Sequence, residues 1–265
     1  MATSGGTTGA GTAGAGTGDI RYTASGTVLE NHEHGPQFCG AVAQTLPPQC
    51  SGVDVMGWNW QEVEHEARGQ VKWGVYTVVG TWDGARLTLT ERPEPPRWAA
   101  PAQEVSVYAS PCPPPAGGWK PVDERKATWE ALEAAVLVAR ESARYAGTWV
   151  DGGYLEHVGG EPDDPRRLVL NVAFTGDLQE NEQRIREVWG GALCVSSARH
   201  TEADLLWITE TVTADIPGGV SSSGVDTVAN QVVVTVYFAT EDLQQDLDAR
   251  YGAGVVRAEG IFNPA

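Results

Sequence analysis

Hydrophobic and polar positions follow one pattern twice in the second half of the chain. The hydrophobic run 168–174 is followed by Asp-Leu-Gln, a polar run and an aromatic–Gly pair, and the same order returns after the run 232–238. Each hydrophobic run has the length and composition of a buried strand, and each polar run that follows has helical spacing. We therefore predict an α+β domain that contains the same unit twice.

Each predicted unit has the order helix, strand, strand, helix, strand. In the first unit, Thr128 precedes the opening helix as a candidate N-cap. The predicted elements of the first unit are 128–144, 148–151, 168–174, 178–189 and 192–196, and those of the second are 201–213, 223–228, 232–238, 241–251 and 254–258.

The first half of the chain has strand periodicity. Bulky residues alternate through 71–82, Asp83-Gly84 is a hairpin signal, and 86–90 has the composition of the returning strand. Short strands without a convincing helix predict a small all-β barrel, of the oligonucleotide/oligosaccharide-binding (OB) type.

Composition divides the chain into four parts. Residues 1–18 are, after Met1, only Gly, Ala, Ser and Thr, which predicts a flexible tether. The barrel occupies 19–92, a proline-rich linker 93–121, and the duplicated α+β domain 122–265.

The net charge of −17 is unevenly distributed. Through Lys120 there are 11 acidic and 7 basic residues, and from Pro121 onward 24 and 11. Such a surface repels phosphate, so nucleic acid is not expected as a partner. No stretch has the length and hydropathy of a transmembrane segment.

Four cysteines suggest disulfide bonds and an oxidising compartment. Cys39 and Cys50 enclose a short loop with a Pro-Pro pair, so we predict that they are bonded, which leaves Cys112 and Cys194 as the second pair. We expect an extracellular or cell-surface protein, with the export signal removed and a lipid anchor upstream of the given start as one form. The alternative is a cytoplasmic protein with a disordered tail and four reduced thiols.

The second half also carries motifs of a known family. Segments 145–151, 168–174, 201–207 and 222–234, above all Val-Asp followed by Asn-Gln-Val-Val-Val, resemble the pro-regions of bacterial chymotrypsin-like proteases of the streptogrisin and α-lytic type. The resemblance implies a protease-pro-region-like fold and a role as foldase or inhibitor of a protease. No Gly-Asp-Ser-Gly nucleophile segment of such a protease occurs in the sequence.

A second resemblance involves the first half. The segments 46–50, 57–60 and 80–84 make the chain look like an uncharacterised family of exported actinobacterial proteins. This resemblance implies export and names no activity.

Tryptophans are the main candidate ligand-binding residues. Trp58 and Trp60 would share one face if they lay on a strand, and could form a stacking platform. Trp73 and Trp82 complete the aromatic candidates of the barrel, and core packing is the alternative use of all four.

Histidines give the one cluster with metal-ligand character. His32, His34 and His65 could bind copper or zinc if the first two lie in a loop, whereas a solvated polar loop is the alternative. No Gly-x-Ser-x-Gly elbow or phosphate-binding loop is present, so we assign no catalytic residue and expect no cofactor.

These observations favour a non-enzymatic exported or cell-surface binding protein, with a small molecule, a glycan or a protein as its ligand. The alternatives are an inhibitor or foldase acting in trans on a secreted chymotrypsin-like protease, and a metal-binding protein or metalloenzyme that uses the region of His32 and His34.

Overall fold

The computed structural model describes residues 20–98, 108–151, 164–216 and 219–265. These residues form an α+β protein with twelve strands and four α-helices, as the sequence predicts in outline. The chain divides into two compact units, the first made of residues up to Trp98 together with Ile261–Ala265, and the second of the residues between them. The predicted tether of residues 1–18 lies outside the described residues.

Six strands of the first unit precede Trp98. They are β1 (Arg21–Glu30), β2 (Gln37–Cys39), β3 (Val53–Met56), β4 (Glu66–Arg68), β5 (Val71–Trp82) and β6 (Arg86–Leu89).

Five of these strands form a closed barrel, which confirms the predicted small β-barrel. The order is β1-β2-β3-β6-β5, and β5 closes the ring by pairing with β1 along ten residues. All pairings are antiparallel except β3 with β6. β4 adds to the other edge of β5.

Alternation along β5 builds the barrel interior. Tyr76 and Val78 occupy inward positions and are buried, whereas Val75, the residue before Tyr76, is exposed. Val28, Phe38 and Leu87 from other strands complete the interior with almost no exposed surface.

The predicted hairpin at Asp83-Gly84 links β5 to β6. The carboxylate of Asp83 accepts hydrogen bonds from the backbone N–H groups of Ala85 and Arg86, both at 2.8 Å. Gly84 has φ +98°, a conformation that side chains with a Cβ rarely adopt.

The end of the last strand, β12 (Val256–Pro264), belongs to the first unit. Pro264 and Asn263 pair with β1, and Phe262 packs on Phe38 with ring centroids 4.6 Å apart. The prediction assigned these residues to the second domain, 122–265. The structure differs because they cover the part of the β1 edge that the short β2 does not reach.

The second unit begins with five elements around a three-stranded sheet. They are α1 (Trp129–Arg140), β7 (Tyr145–Asp151), β8 (Val169–Phe174), α2 (Leu178–Val188) and β9 (Ala192–Ser197).

Strand β8 lies in the centre of this sheet, antiparallel to β7 and parallel to β9, and all six of its residues are buried. Leu170, Val172 and Phe174 pack under α1 and α2. The hydroxyl of Thr128 accepts a hydrogen bond from the Ala131 N–H at 3.2 Å, so Thr128 caps α1 as predicted.

The rest of the second unit repeats the types of element. It contains α3 (Glu202–Asp215), β10 (Ser222–Asp226), β11 (Gln231–Phe238), α4 (Glu241–Tyr251) and the first residues of β12. Their core joins one face of each helix to β11 through Leu205, Ile208, Val212, Val232, Val234, Val236, Leu247 and Val256.

Asn230 fixes the turn before β11. Its carbonyl accepts hydrogen bonds from the backbone N–H groups of Arg199 and His200, and its amide donates to the His200 carbonyl, all at 2.9 Å. The residue is buried with φ +52°, which asparagine tolerates better than most residues.

Cys39 is bonded to Cys50 and Cys112 to Cys194, which are the two predicted disulfides. The second bond holds the segment 108–119 across the β7-β8-β9 sheet.

Both described ends of the predicted linker are hydrogen-bonded to folded units. Thr77 and Glu94 exchange backbone hydrogen bonds of 2.9 and 3.0 Å in the first unit. In the second, the Ser110 N–H donates to the Asp151 carboxylate at 2.8 Å. Residues 99–107 between them lie outside the described residues.

Within the described ranges, every helix is too short or too polar to cross a membrane.

The two disulfides should contribute unequally to stability. They close loops with sequence separations of 82 and 11 residues. Loop-closure entropy then predicts a loss of about 4.5 kcal/mol for the double variant Cys112→Ala/Cys194→Ala and about 3 kcal/mol for Cys39→Ala/Cys50→Ala. Urea unfolding of both variants beside the oxidised protein measures the difference. A larger loss for the Cys39–Cys50 pair would contradict this ranking.

Candidate functional site

The four candidate tryptophans lie at opposite ends of the barrel. Trp58 and Trp60 follow β3, and Trp73 is the third residue of β5, at the end where β1 finishes. Trp82 is the last residue of β5, about 30 Å further along the strand at 3.3 Å per residue. The four residues therefore do not form one binding surface.

Trp58 and Trp60 lie outside the strands, which corrects the premise of the predicted stacking platform. β3 ends at Met56, the next residue Gly57 has φ +82°, and Trp60–Glu62 forms a single 3-10 turn. The Asn59 side chain caps this turn by accepting from the Gln61 N–H at 3.0 Å. Because of this local hydrogen bonding, the two indoles meet edge to face, with centroids 5.2 Å apart at 66°.

Four rings pack together here, and we call them the Trp58 cluster: Trp58, Trp60, His65 and Tyr76. Trp58 lies 5.0 Å from Tyr76, and Trp60 lies 5.1 Å from His65 between ring centroids. Trp60 and Tyr76 are buried, Trp58 is half-buried and His65 is exposed. The cluster is therefore part barrel core and part surface.

Polar atoms of the two buried rings have partners within the chain. The Trp60 indole N–H donates to the Glu30 carboxylate at 2.8 Å, and Lys72 Nζ lies 3.5 Å from the same carboxylate. The Tyr76 hydroxyl donates to the Glu64 carbonyl at 2.5 Å, and burial raises the pKa of Tyr76 to about 12. These contacts identify Trp60 and Tyr76 as packing residues.

Trp58 differs from its neighbours. Its Nε1 atom is buried, and no acceptor for its N–H lies within the described residues. A buried donor without a partner costs free energy, so such groups often mark a place where a ligand or water completes the hydrogen bonding. Trp58 is thus the member of the cluster with free hydrogen-bonding capacity.

Each of the three candidate metal-binding histidines contacts residues close to it in sequence. His34 accepts from the Asn31 amide at 3.0 Å and donates to the Gly35 carbonyl at 2.7 Å, while His65 donates to the Val63 carbonyl at 3.2 Å. His32 lies in the loop after β1 with Nε2 3.6 Å from the Glu33 carboxylate. Over the described ranges, no three His, Cys, Asp or Glu side chains are grouped to hold a metal ion.

A second group of buried polar atoms lies in the other unit. Ser110 Oγ, Trp149 Nε1 and Asn171 Oδ1 are buried without a partner in the described residues. Asn171 is fully buried on β8, with Trp149 and Cys194 as its direct neighbours on the two adjacent strands. The sequence signal was available, because Asn171 is the one polar residue in the hydrophobic run 168–174. Asn171 was not among the candidate residues predicted from the sequence.

No protein-family model matches this chain, and none of the curated proteins compared with it does.

Two matched substitutions distinguish an indole N–H that has a hydrogen-bond acceptor from one that has none. Trp60→Phe removes the donor to Glu30, a hydrogen bond to a charged group that is worth about 1.5–3 kcal/mol. Trp58→Phe removes an N–H without an acceptor, so it should lose only the packing contacts that the smaller phenyl ring does not make. We expect Trp60→Phe to lower the free energy of unfolding by that margin more than Trp58→Phe does. Equal losses in denaturant unfolding would show that Trp58 has a structural acceptor.

Proposed function

We propose that this protein is a non-enzymatic binding protein that acts outside the cytoplasm, and that its barrel binds an oligosaccharide at Trp58. The observation that carries the proposal is the buried Trp58 N–H without an acceptor, beside a half-buried indole face. A sugar hydroxyl supplies an acceptor oxygen, and the C–H face of a pyranose ring can pack on an aromatic ring.

The topology of the barrel supports this ligand class. β1, β2 and β3 are consecutive antiparallel neighbours, and β5 returns to lie beside β1, which is a Greek-key arrangement. Five-stranded Greek-key barrels of the OB type bind oligonucleotides and oligosaccharides. The net charge of −17 disfavours a phosphate backbone, which leaves the saccharide.

Groups beside Trp58 suit a hydroxyl-rich ligand. The exposed ring of His65 lies on Trp60, and the exposed Glu62 and Glu64 can accept hydrogen bonds from sugar hydroxyls. Binding there would leave the buried contacts of Trp60 and Tyr76 unchanged.

The two disulfides support a location outside the cytoplasm, since such bonds persist in oxidising compartments. The extracellular space and the cell surface are the locations that we propose.

A titration with soluble glucan and N-acetylglucosamine oligosaccharides tests the proposal, with the tryptophan indole signals of the ¹⁵N-labelled protein as the readout. We expect a saturable shift of the Trp58 indole signal, and roughly tenfold weaker binding for Trp58→Phe. Trp82→Phe, at the opposite end of the barrel, is the matched control and should bind like wild type. Unchanged affinity in Trp58→Phe, or no shift with any of these sugars, would rule out the site.

A second candidate is inhibition or assisted folding of a secreted chymotrypsin-like protease, with the second unit as a duplicated, pro-region-like domain. The order helix, strand, strand, helix, strand favours it, because it occurs once from α1 to β9 and again from α3 to β12.

This candidate predicts that the full chain slows a streptogrisin-type protease or raises its yield of refolding. The assay compares protease activity and recovered activity after denaturation, with and without an equimolar amount of the protein. Identical curves for both would eliminate the role in trans and leave the barrel proposal untouched.

A further inference from the structure

Helix α3 has large apolar side chains on two different faces. Leu205, Ile208 and Val212 are buried in the core of the second unit. Leu206 and Trp207, which point elsewhere on the helix, are 50% and 64% exposed. The core requires the first three residues but gives no reason for the other two.

Leu206 and Trp207 belong to one surface of the helix together with two other exposed residues. We call this surface the α3 patch: Ala203, Leu206, Trp207 and Glu210. Ala203 lies three residues before Leu206 and four before Trp207, and Glu210 lies four and three residues after them. Side chains at these spacings are neighbours on a helix. All four are exposed. An exposed tryptophan and leucine that share neighbours on one helix surface are typical of a protein contact surface.

The charge of α3 has a single sign. The helix contains Glu202, Asp204, Glu210 and Asp215 and no basic residue. Three of these carboxylates have local partners: Glu202 lies 4.0 Å from Arg140, Asp204 accepts from Thr201, and Asp215 accepts from the Tyr251 hydroxyl.

Glu210 is the exception among the four. No hydrogen bond or ion pair joins it to another described residue, and its position three and four residues after Trp207 and Leu206 makes it their neighbour on the helix surface. The α3 patch therefore combines an open indole face, an aliphatic side chain and an unpaired carboxylate.

We propose that the α3 patch binds an arginine-bearing segment of a partner protein. A guanidinium group can stack on the Trp207 indole and pair with the Glu210 carboxylate, while its aliphatic stem packs on Leu206. One side chain type thus matches all three features of the patch.

Charge argues against the other occupants. A second copy of the chain would bring the acidic α3 helices together, and an anionic membrane surface would be repelled by the excess of 24 acidic over 11 basic residues from Pro121 onward. A cationic segment is attracted by the same charges. The proposal concerns the second unit and is independent of the saccharide site at Trp58.

The test uses the full-length ¹⁵N-labelled protein and a short synthetic peptide rich in arginine and leucine. A matched peptide carries glutamate in place of each arginine. We expect the Trp207 indole signal, assigned by its loss in Trp207→Phe, to shift saturably with the arginine peptide only. Binding should weaken with added salt, because the paired charges are at the surface. Trp207→Ser and Glu210→Gln should each weaken binding by roughly fivefold or more.

Leu137→Gln is the matched control, because Leu137 is 65% exposed on α1, where Arg140 lies one turn away. Binding should be unchanged in this variant, and circular dichroism checks that all variants remain folded. The proposal fails if the arginine peptide does not bind, if the glutamate peptide binds equally, or if Trp207→Ser retains wild-type affinity. It also fails if sedimentation shows a dimer that Trp207→Ser disrupts, since the patch would then bind a second copy.

Discussion

Strand β1 carries the hydrogen bonding on which the barrel depends. One of its edges pairs with β5 from Arg21 to Glu30, and its other edge pairs with β2 and with the end of β12. The first pairing closes the ring, and the others leave little of the second edge free. The same strand supplies the Glu30 carboxylate to Trp60, so barrel closure also places the Trp58 cluster.

That placement explains why two nearby tryptophans differ in hydrogen bonding. Trp60 is fixed by a carboxylate from β1 and is buried, whereas Trp58 contacts the same rings without an acceptor for its N–H. The Trp58 ring is therefore held by packing, and the hydrogen bond of its buried N–H is unmade within the described residues. Ser110 Oγ, Trp149 Nε1 and Asn171 Oδ1 show the same condition in the second unit, where they are also buried without a partner in the described residues.

Much of the fold could be predicted because its determinants are local. The alternation along β5, the Asp83-Gly84 hairpin and the Thr128 cap each depend on residues close in sequence, and the cysteine pairs followed from loop length and elimination. The turn at Trp60 was missed because the Asn59 cap overrides the strand pattern. Whether each indole N–H has a hydrogen-bond acceptor could not be predicted, since this depends on whether Glu30, distant in sequence, comes within reach.

The pairing of Tyr22 with Pro264 joins residues more than two hundred positions apart. Contacts of such long range raise the contact order and form late in folding. During synthesis, β1 leaves the ribosome first and must wait for nearly the whole chain before this partner appears. Until then, part of its edge is open to pairing with other strands.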